Sequence, residues 1–170
     1  MQELWSLSYV SMEEALVRLL LASALAGLIG LDREVRNKPV GLRTMMLVSL
    51  GAAAFSIVVM ELIYTIRDDD QLAMDPGRVI SGIIGGVGFL GAGAIIQQRQ
   101  TLVGATTGAS IWVVGGIGMG CGFGFYVLAA TVTAIALVVL IILGVIERWI
   151  GGRKPQEEAP EPGDEAAKVG

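Results

Sequence analysis

The densest run of ionisable residues is Asp32-Arg33-Glu34-Val35-Arg36-Asn37-Lys38, followed closely by Arg43. Acids interleaved with arginines can pair, and Asp32 and Arg36 stand four apart, the spacing that meets on one helix face. A topology signal beside a membrane would account for the basic residues, but it calls for no acids at Asp32 or Glu34. Two readings therefore stand. Either this loop is a solvated orientation signal, or Asp32, Arg33, Glu34 and Arg43 form an ion-pair network that caps a helix bundle. A second charged stretch holds Arg67, Asp68-Asp69-Asp70, Asp75 and Arg78. Adjacent carboxylates concentrate divalent cations. A defined hard-cation site needs six or more converging oxygens, so a solvated loop is the expectation there.

The third candidate is a glycine cluster, Gly82-Ile83-Ile84-Gly85-Gly86-Val87-Gly88-Phe89-Leu90-Gly91-Ala92-Gly93. Gly86-x-Gly88-x-x-Gly91 has the form of a dinucleotide fingerprint. It lacks the acidic residue about 20 positions on, and the strand–turn–helix context that the chemistry needs. Small residues four apart let helix backbones approach closely in lipid. Gly82/Gly86, Gly104/Gly108, Ala26/Gly30 and Gly116/Gly120 all have this spacing. The alternative is a helix unwound near Gly85–Gly88 that shows carbonyls to an ion. Downstream, Thr106, Thr107 and Ser110, with Trp112 beyond, either bond backbone and neighbouring helices or line a polar cavity; Thr106 and Ser110 are expected to share a face. Gly86, Gly88, Gly91 and Gly93 join these four as the candidate cavity or packing residues. Glu61 is expected to snorkel at a helix end.

Several chemistries are excluded. There is no histidine, which removes His-dependent triads and His-ligated metals, and Cys121 is the single cysteine. One cysteine forms no intrachain disulfide and no multi-Cys metal framework. The net charge of −4 carries no nucleic-acid footprint. No span holds a mid-membrane carboxylate, which argues against a proton relay. An enzyme and a resident cofactor are therefore not expected.

The elements that must position these residues are membrane helices. The 170 residues are 54% hydrophobic and only 16% charged, against about 25% charged in soluble domains. Between Arg78 and Glu147 the one charged residue is Arg99. Apolar stretches fall at about 15–31, 44–63, 79–96, 102–119 and 123–146, each long enough to span a hydrocarbon core of about 30 Å. The expected fold is all-α, a polytopic membrane bundle of five transmembrane helices. Lys38-Pro39 stops the first span, and Asp75-Pro76 reads as an N-cap and first helical residue for the third. The glycine run 118–124 is expected to be the turn between the fourth and fifth spans. Asp32-Arg33-Glu34 follows the first span where a signal peptidase site would lie, so that span is expected to be retained.

Lys and Arg set the orientation. The first and third loops and the C-terminal flank carry eight, and the opposite side carries Arg18, Arg67 and Arg78. The N-terminus is expected outside and the C-terminus in the cytoplasm. Residues 1–150 form the membrane domain. Residues 151–170, with Pro155, Pro160, Pro162 and five acids, read as a disordered acidic tail.

Three motifs carry a family resemblance. Gly30-Leu31-Asp32-Arg33-Glu34 with Lys38-Pro39-x-Gly41-Leu42-Arg43-Thr44 resembles the first-loop signature of the MgtC/SapB family. Asp75-Pro76-x-Arg78 with Gly86-Val87-Gly88-Phe89-Leu90-Gly91-Ala92-Gly93 resembles its third-helix signature. Val103-Gly104-x-Thr106-Thr107-x-Ala109-Ser110-Ile111-Trp112 resembles its fourth-helix signature. The resemblance covers about residues 12–147. Two positions depart from the pattern: Gly82 stands where a Gln is usual and Gly85 where a Ser is common, so no ligand role is carried over to either. Longer members add a cytoplasmic domain similar to an ACT fold; the acidic tail stands there in this chain, a short form expected to lack that domain.

The resemblance implies a bacterial inner-membrane protein of five spans, linked to magnesium homeostasis and to acid or intracellular stress. Mg²⁺ would be a transported or sensed ion. It also implies two candidate activities: transport of Mg²⁺ or another small solute, or regulation without transport by docking on a membrane complex such as the ATP synthase. Four small-residue pairs exceed what one bundle consumes, so a homo-oligomer is expected, most simply a two-fold dimer. The topology is checked by cysteine labelling in a Cys121→Ser background. Asp69→Cys should react from outside, and Gln156→Cys only after permeabilisation; outside labelling of Gln156→Cys would reverse the orientation.

Overall fold

The computed structural model describes residues 9–66, 75–98 and 101–150. The acidic tail and the Asp68–Asp70 run lie outside the described residues. The helices are α1 (Met12–Val35), α2 (Leu42–Ile66), α3 (Pro76–Gly93), α4 (Ala105–Gly122) and α5 (Tyr126–Val138). The last continues through a π-helical turn, Val139–Leu143, into α6 (Gly144–Ile150). Five helical rods result, as the hydropathy pattern predicts. Among the described residues, three stretches are long and apolar enough to cross a membrane: Met12–Val35, Leu42–Thr65 and Tyr126–Ile146. The helices α3 and α4 are 18 residues each, about 27 Å long. Apolar side chains also cover the outside: Val127 is 82% and Phe89 79% exposed, a surface suited to lipid.

Local chemistry sets the helix ends. The Ser11 hydroxyl accepts from the Glu14 N–H at 3.1 Å, and Glu13 and Glu14 lie in the first turn of α1; both features favour a helix N-terminus. Asp75 caps α3 by accepting from the Gly77 N–H at 2.9 Å, with Pro76 as the first helical residue, as the sequence predicts.

Two boundaries differ from expectation. The third span ends at Gly93, and Ile96–Gln98 (β1) pairs antiparallel with Thr101–Val103 (β2), Ile96 opposite Val103. Ile96, Leu102 and Val103, read as span ends by hydropathy, instead lie in these paired strands. Gly104, at φ +94°, then starts α4, and a side chain there would collide with the Ala94 carbonyl. The other difference is that α4 runs straight through Gly118 and Gly120 to Gly122; the turn is confined to Phe123 and Gly124. The helix α3 is continuous through Gly85–Gly88, so the unwound-helix alternative does not hold.

The helix α4 is the central rod and contacts α1, α2, α3 and α5. Its glycines mark where backbones meet. A Cβ at Gly118 would strike the Ser49 carbonyl, one at Gly122 would lie 2.6 Å from the Ala53 oxygen, and one at Gly108 2.7 Å from the Gly91 oxygen. The α3 stripe facing α4 is Ile83, Val87 and Gly91, rather than the Gly82/Gly86 pair, and Val87 packs over Gly115. On α1, Ala26 is fully buried and Gly30 meets the Leu42 backbone. Gly116 faces open space, which permits a controlled comparison. Gly118→Ala should destabilise the detergent-solubilised protein by about 1–3 kcal/mol through overpacking. Gly116→Ala should be neutral or stabilising by up to about 1 kcal/mol. Thermal unfolding of the two variants measures both; equal melting would refute backbone contact at Gly118.

Candidate functional site: a buried arginine clasp

Arg33, in the last turn of α1, is only 3% exposed. Its Nε donates to the Val40 carbonyl at 3.1 Å and its Nη2 to the Pro39 carbonyl at 2.7 Å. From the same group, Nη2 donates to the Thr107 hydroxyl at 2.5 Å and Nη1 to the Ser110 hydroxyl at 3.4 Å. One guanidinium thus ties the α1–α2 loop to α4. Its flat fork of donors suits several acceptors at fixed angles, which a lysine ammonium would not match. All four acceptors are neutral. The Ser110 hydroxyl in turn donates to the Thr106 carbonyl at 2.7 Å.

The loop that Arg33 holds is conformationally unusual. Asn37 has φ 52° and Val40 φ 62°, and a β-branched residue in the left-handed region is strained. The Arg33–Val40 bond holds that conformation from within. Glu34 accepts from the Leu42 N–H at 3.1 Å, which satisfies a free donor at the start of α2. Its carboxylate fills the space where a side chain at residue 41 would sit, which explains Gly41.

The expected network is therefore only partly assembled. Asp32 pairs with Arg36 at 2.7 Å, as the spacing predicts. Arg33 and Glu34 both brace the loop. Arg43 is exposed and makes no hydrogen bond or ion pair among the described residues, so it does not interlock with the others. Asp75 and Arg78 lie at the opposite end of the bundle, where Asp75 is a helix cap and Arg78 is exposed. Of the hydroxyls, Thr107 and Ser110 form the buried pair and Thr106 is exposed, because the face toward α1 takes positions three apart. Trp112 is also exposed. Of the glycine cluster, Gly91 packs on α4, while Gly86, Gly88 and Gly93 face open space.

A second clasp was not anticipated. Arg18, near the other end of α1, is 6% exposed; its Nη1 donates to the Gly122 carbonyl at 2.6 Å, and its Nε and Nη2 reach Glu14. It joins α1 to the α4–α5 turn. The Glu14–Arg18 spacing is visible in the sequence, but the long-range acceptor is a backbone carbonyl and leaves no mark there. Glu61 likewise does more than snorkel: its carboxylate accepts from the Tyr9 and Val10 N–H groups at 2.9 and 2.7 Å, fastening the segment before α1 to the end of α2. Among the described residues, no three His, Cys, Asp or Glu side chains group to hold a metal.

Removing the Arg33 side chain strands buried carbonyls and leaves a cavity. Arg33→Ala should cost about 2–4 kcal/mol, and Arg33→Lys should recover part of that. Arg43→Ala should stay within about 0.5 kcal/mol, as exposed sites do. Detergent-phase melting of the three variants tests the clasp; a sharp loss at Arg43 with none at Arg33 would contradict it.

Comparison with known proteins places this architecture. The MgtC family model matches residues 19–149. YhiD of Escherichia coli K12, a protein provisionally named a magnesium transporter, is 42% identical over 106 residues, 62% of this chain and 49% of YhiD. SapB of Bacillus subtilis is 35% identical over 153 residues, 89% of this chain and 66% of SapB. MgtC of Salmonella typhimurium is 39% identical over 104 residues, 61% of this chain and 41% of MgtC. The chain thus spans from under half to about two thirds of the length of these relatives. No solved structure matches it significantly. With three helices fit to cross a bilayer and a family match over most of its length, the chain belongs to the MgtC family of membrane proteins.

Proposed function

We propose that this chain is a multi-pass bacterial inner-membrane protein of magnesium-linked physiology that regulates another membrane complex and does not conduct an ion through its own bundle. The observation that carries the reading is the α3–α4 seam, where a transport path would be sought. There Gly91 and Gly108 bring the two backbones into contact, and Val87 fills the space over Gly115. Arg33 strengthens the case, since a buried guanidinium at the end of the α1–α4 seam repels a divalent cation. The interior hydroxyls of Ser49, Ser56 and Thr133 donate to backbone carbonyls, so they brace helices.

The association surface in this reading is the side of α3 turned away from α4. Gly85 and Gly88 have open space there, and Ala92 is exposed, a small-residue face that a helix can approach closely. A second copy of the chain, giving a homodimer, or a different membrane complex such as the ATP synthase would pack on it. The charge asymmetry of the loops supports a cytoplasmic position for the Arg33 clasp. Transport of Mg²⁺ is the second reading, favoured by the name YhiD carries.

Purified protein in liposomes loaded with a fluorescent Mg²⁺ indicator separates the two. Flux should equal that of protein-free liposomes; saturable Mg²⁺ entry that Gly91→Leu abolishes would establish transport. Cross-linking from Gly88→Cys in a Cys121→Ser background identifies what covers α3, and no cross-link to any polypeptide in native membranes would sink the docking surface.

A further inference from the structure

Because α3 leans on α4, it stands apart from α2. An apolar groove of about 680 Å³ runs between them, within the size range of small-molecule sites. Its wall on α2 extends from Thr44 to Leu62, and its floor includes Gly51, Gly82 and Gly86. The α2 wall rises eighteen steps of 1.5 Å, about 27 Å, and the α3 wall, Val79 to Leu90, rises about 17 Å, so the stretch walled on both sides is about one leaflet deep. The groove is open sideways, since Leu47, Phe55 and Val58 are more than half exposed. At its Thr44 end stands Arg43, exposed and without an ion pair among the described residues. Arg43 is one helical turn before Leu47, a wall residue, on the same ridge. Lys38 adds a second exposed cation at that end.

We infer that this groove is a phospholipid site that takes one acyl chain between α2 and α3 and the phosphate of an anionic headgroup on Arg43. The apolar walls match an acyl chain in chemistry and in depth. A guanidinium with no partner among the described residues stands at the mouth and complements a phosphate, which accepts two parallel N–H bonds from such a fork. Basic residues at a membrane face also draw anionic lipid. The floor glycines supply the width: a Cβ at Gly51, Gly82 or Gly86 would meet nothing within 4 Å, so larger residues there would occupy the chain's volume without touching the fold. The site uses a different side of α3 from the proposed association surface and stands independently of it.

The test counts lipid retained by purified full-length protein in native mass spectrometry, after washing and exposure to phosphatidylglycerol or phosphatidylcholine. Wild type should retain phosphatidylglycerol preferentially. Gly86→Leu, which fills the groove, should bind it about tenfold more weakly, and Gly116→Leu, on open space of α4 outside the groove, should match wild type. Arg43→Gln should still retain lipid but lose the preference between headgroups. A phosphatidylglycerol with a photoreactive acyl chain should label wild type at Phe55 or Val58, a readout that needs no variant. Equal retention by Gly86→Leu and wild type, or labelling scattered over the exterior, would mean annular lipid only and overturn the site. A dimer cross-linked between Gly82→Cys copies in a Cys121→Ser background would overturn it in favour of a second chain.

Discussion

The backbone of α4 lies against the backbones of its neighbours, and most of the architecture depends on that closeness. In lipid, apolar side chains gain little by leaving the surroundings for a helix interface, so packing and dispersion must hold the rods together. Gly118 and Gly122 set α4 against Ser49 and Ala53 of α2, and Gly108 sets it against Gly91 of α3. The buried residues of α4, from Thr107 to Gly122, occupy one broad half of the helix, and Thr106, Ala109, Trp112 and Gly116 form an exposed stripe on the other. The same constraint makes α3 three-sided. Ile83, Val87 and Gly91 face α4; Gly82 and Gly86 border the groove toward α2; Gly85, Gly88 and Ala92 look outward. A helix committed to α4 at such short range cannot also close on α2, and the groove is the geometric remainder.

Two arginines on α1 complete the frame. They lie fifteen residues apart, about 22 Å along the axis, and reach α4 near its start and at its end. Both find backbone carbonyls: Pro39 and Val40 for Arg33, Gly122 for Arg18. Loops and turns are where helices leave carbonyls without intrahelical donors, so each arginine satisfies acceptors that lipid could not. Their positive charge is thereby fixed inside the ends of the bundle, which bears directly on whether a cation could follow the α1–α4 seam. The matched relatives YhiD and SapB are longer than this chain, and the family model matches its residues 19–149.

The five rods, the Asp75-Pro76 cap, the Asp32–Arg36 pair and the family were legible in the sequence. Each is encoded locally, in a hydropathy run, a cap dipeptide, a spacing of four or an ordered motif. The charge-dense loop was singled out, with a solvated signal and a capping network both left open. Its internal assignment was not legible, because residue types show which groups can pair but not which of them the backbone turns inward. Arg33 and Arg43 read alike in the sequence; the end of α1 buries one, and the first turn of α2 exposes the other. The tertiary structure alone decided which glycines are contacts and which are open, since Gly86 and Gly91 look equivalent in a repeat of small residues and differ only in what faces them. It also decided that Arg18 is a clasp and that a groove separates α2 from α3. Those features join residues far apart in the chain, often through backbone atoms that every residue possesses, and so no side-chain pattern records them.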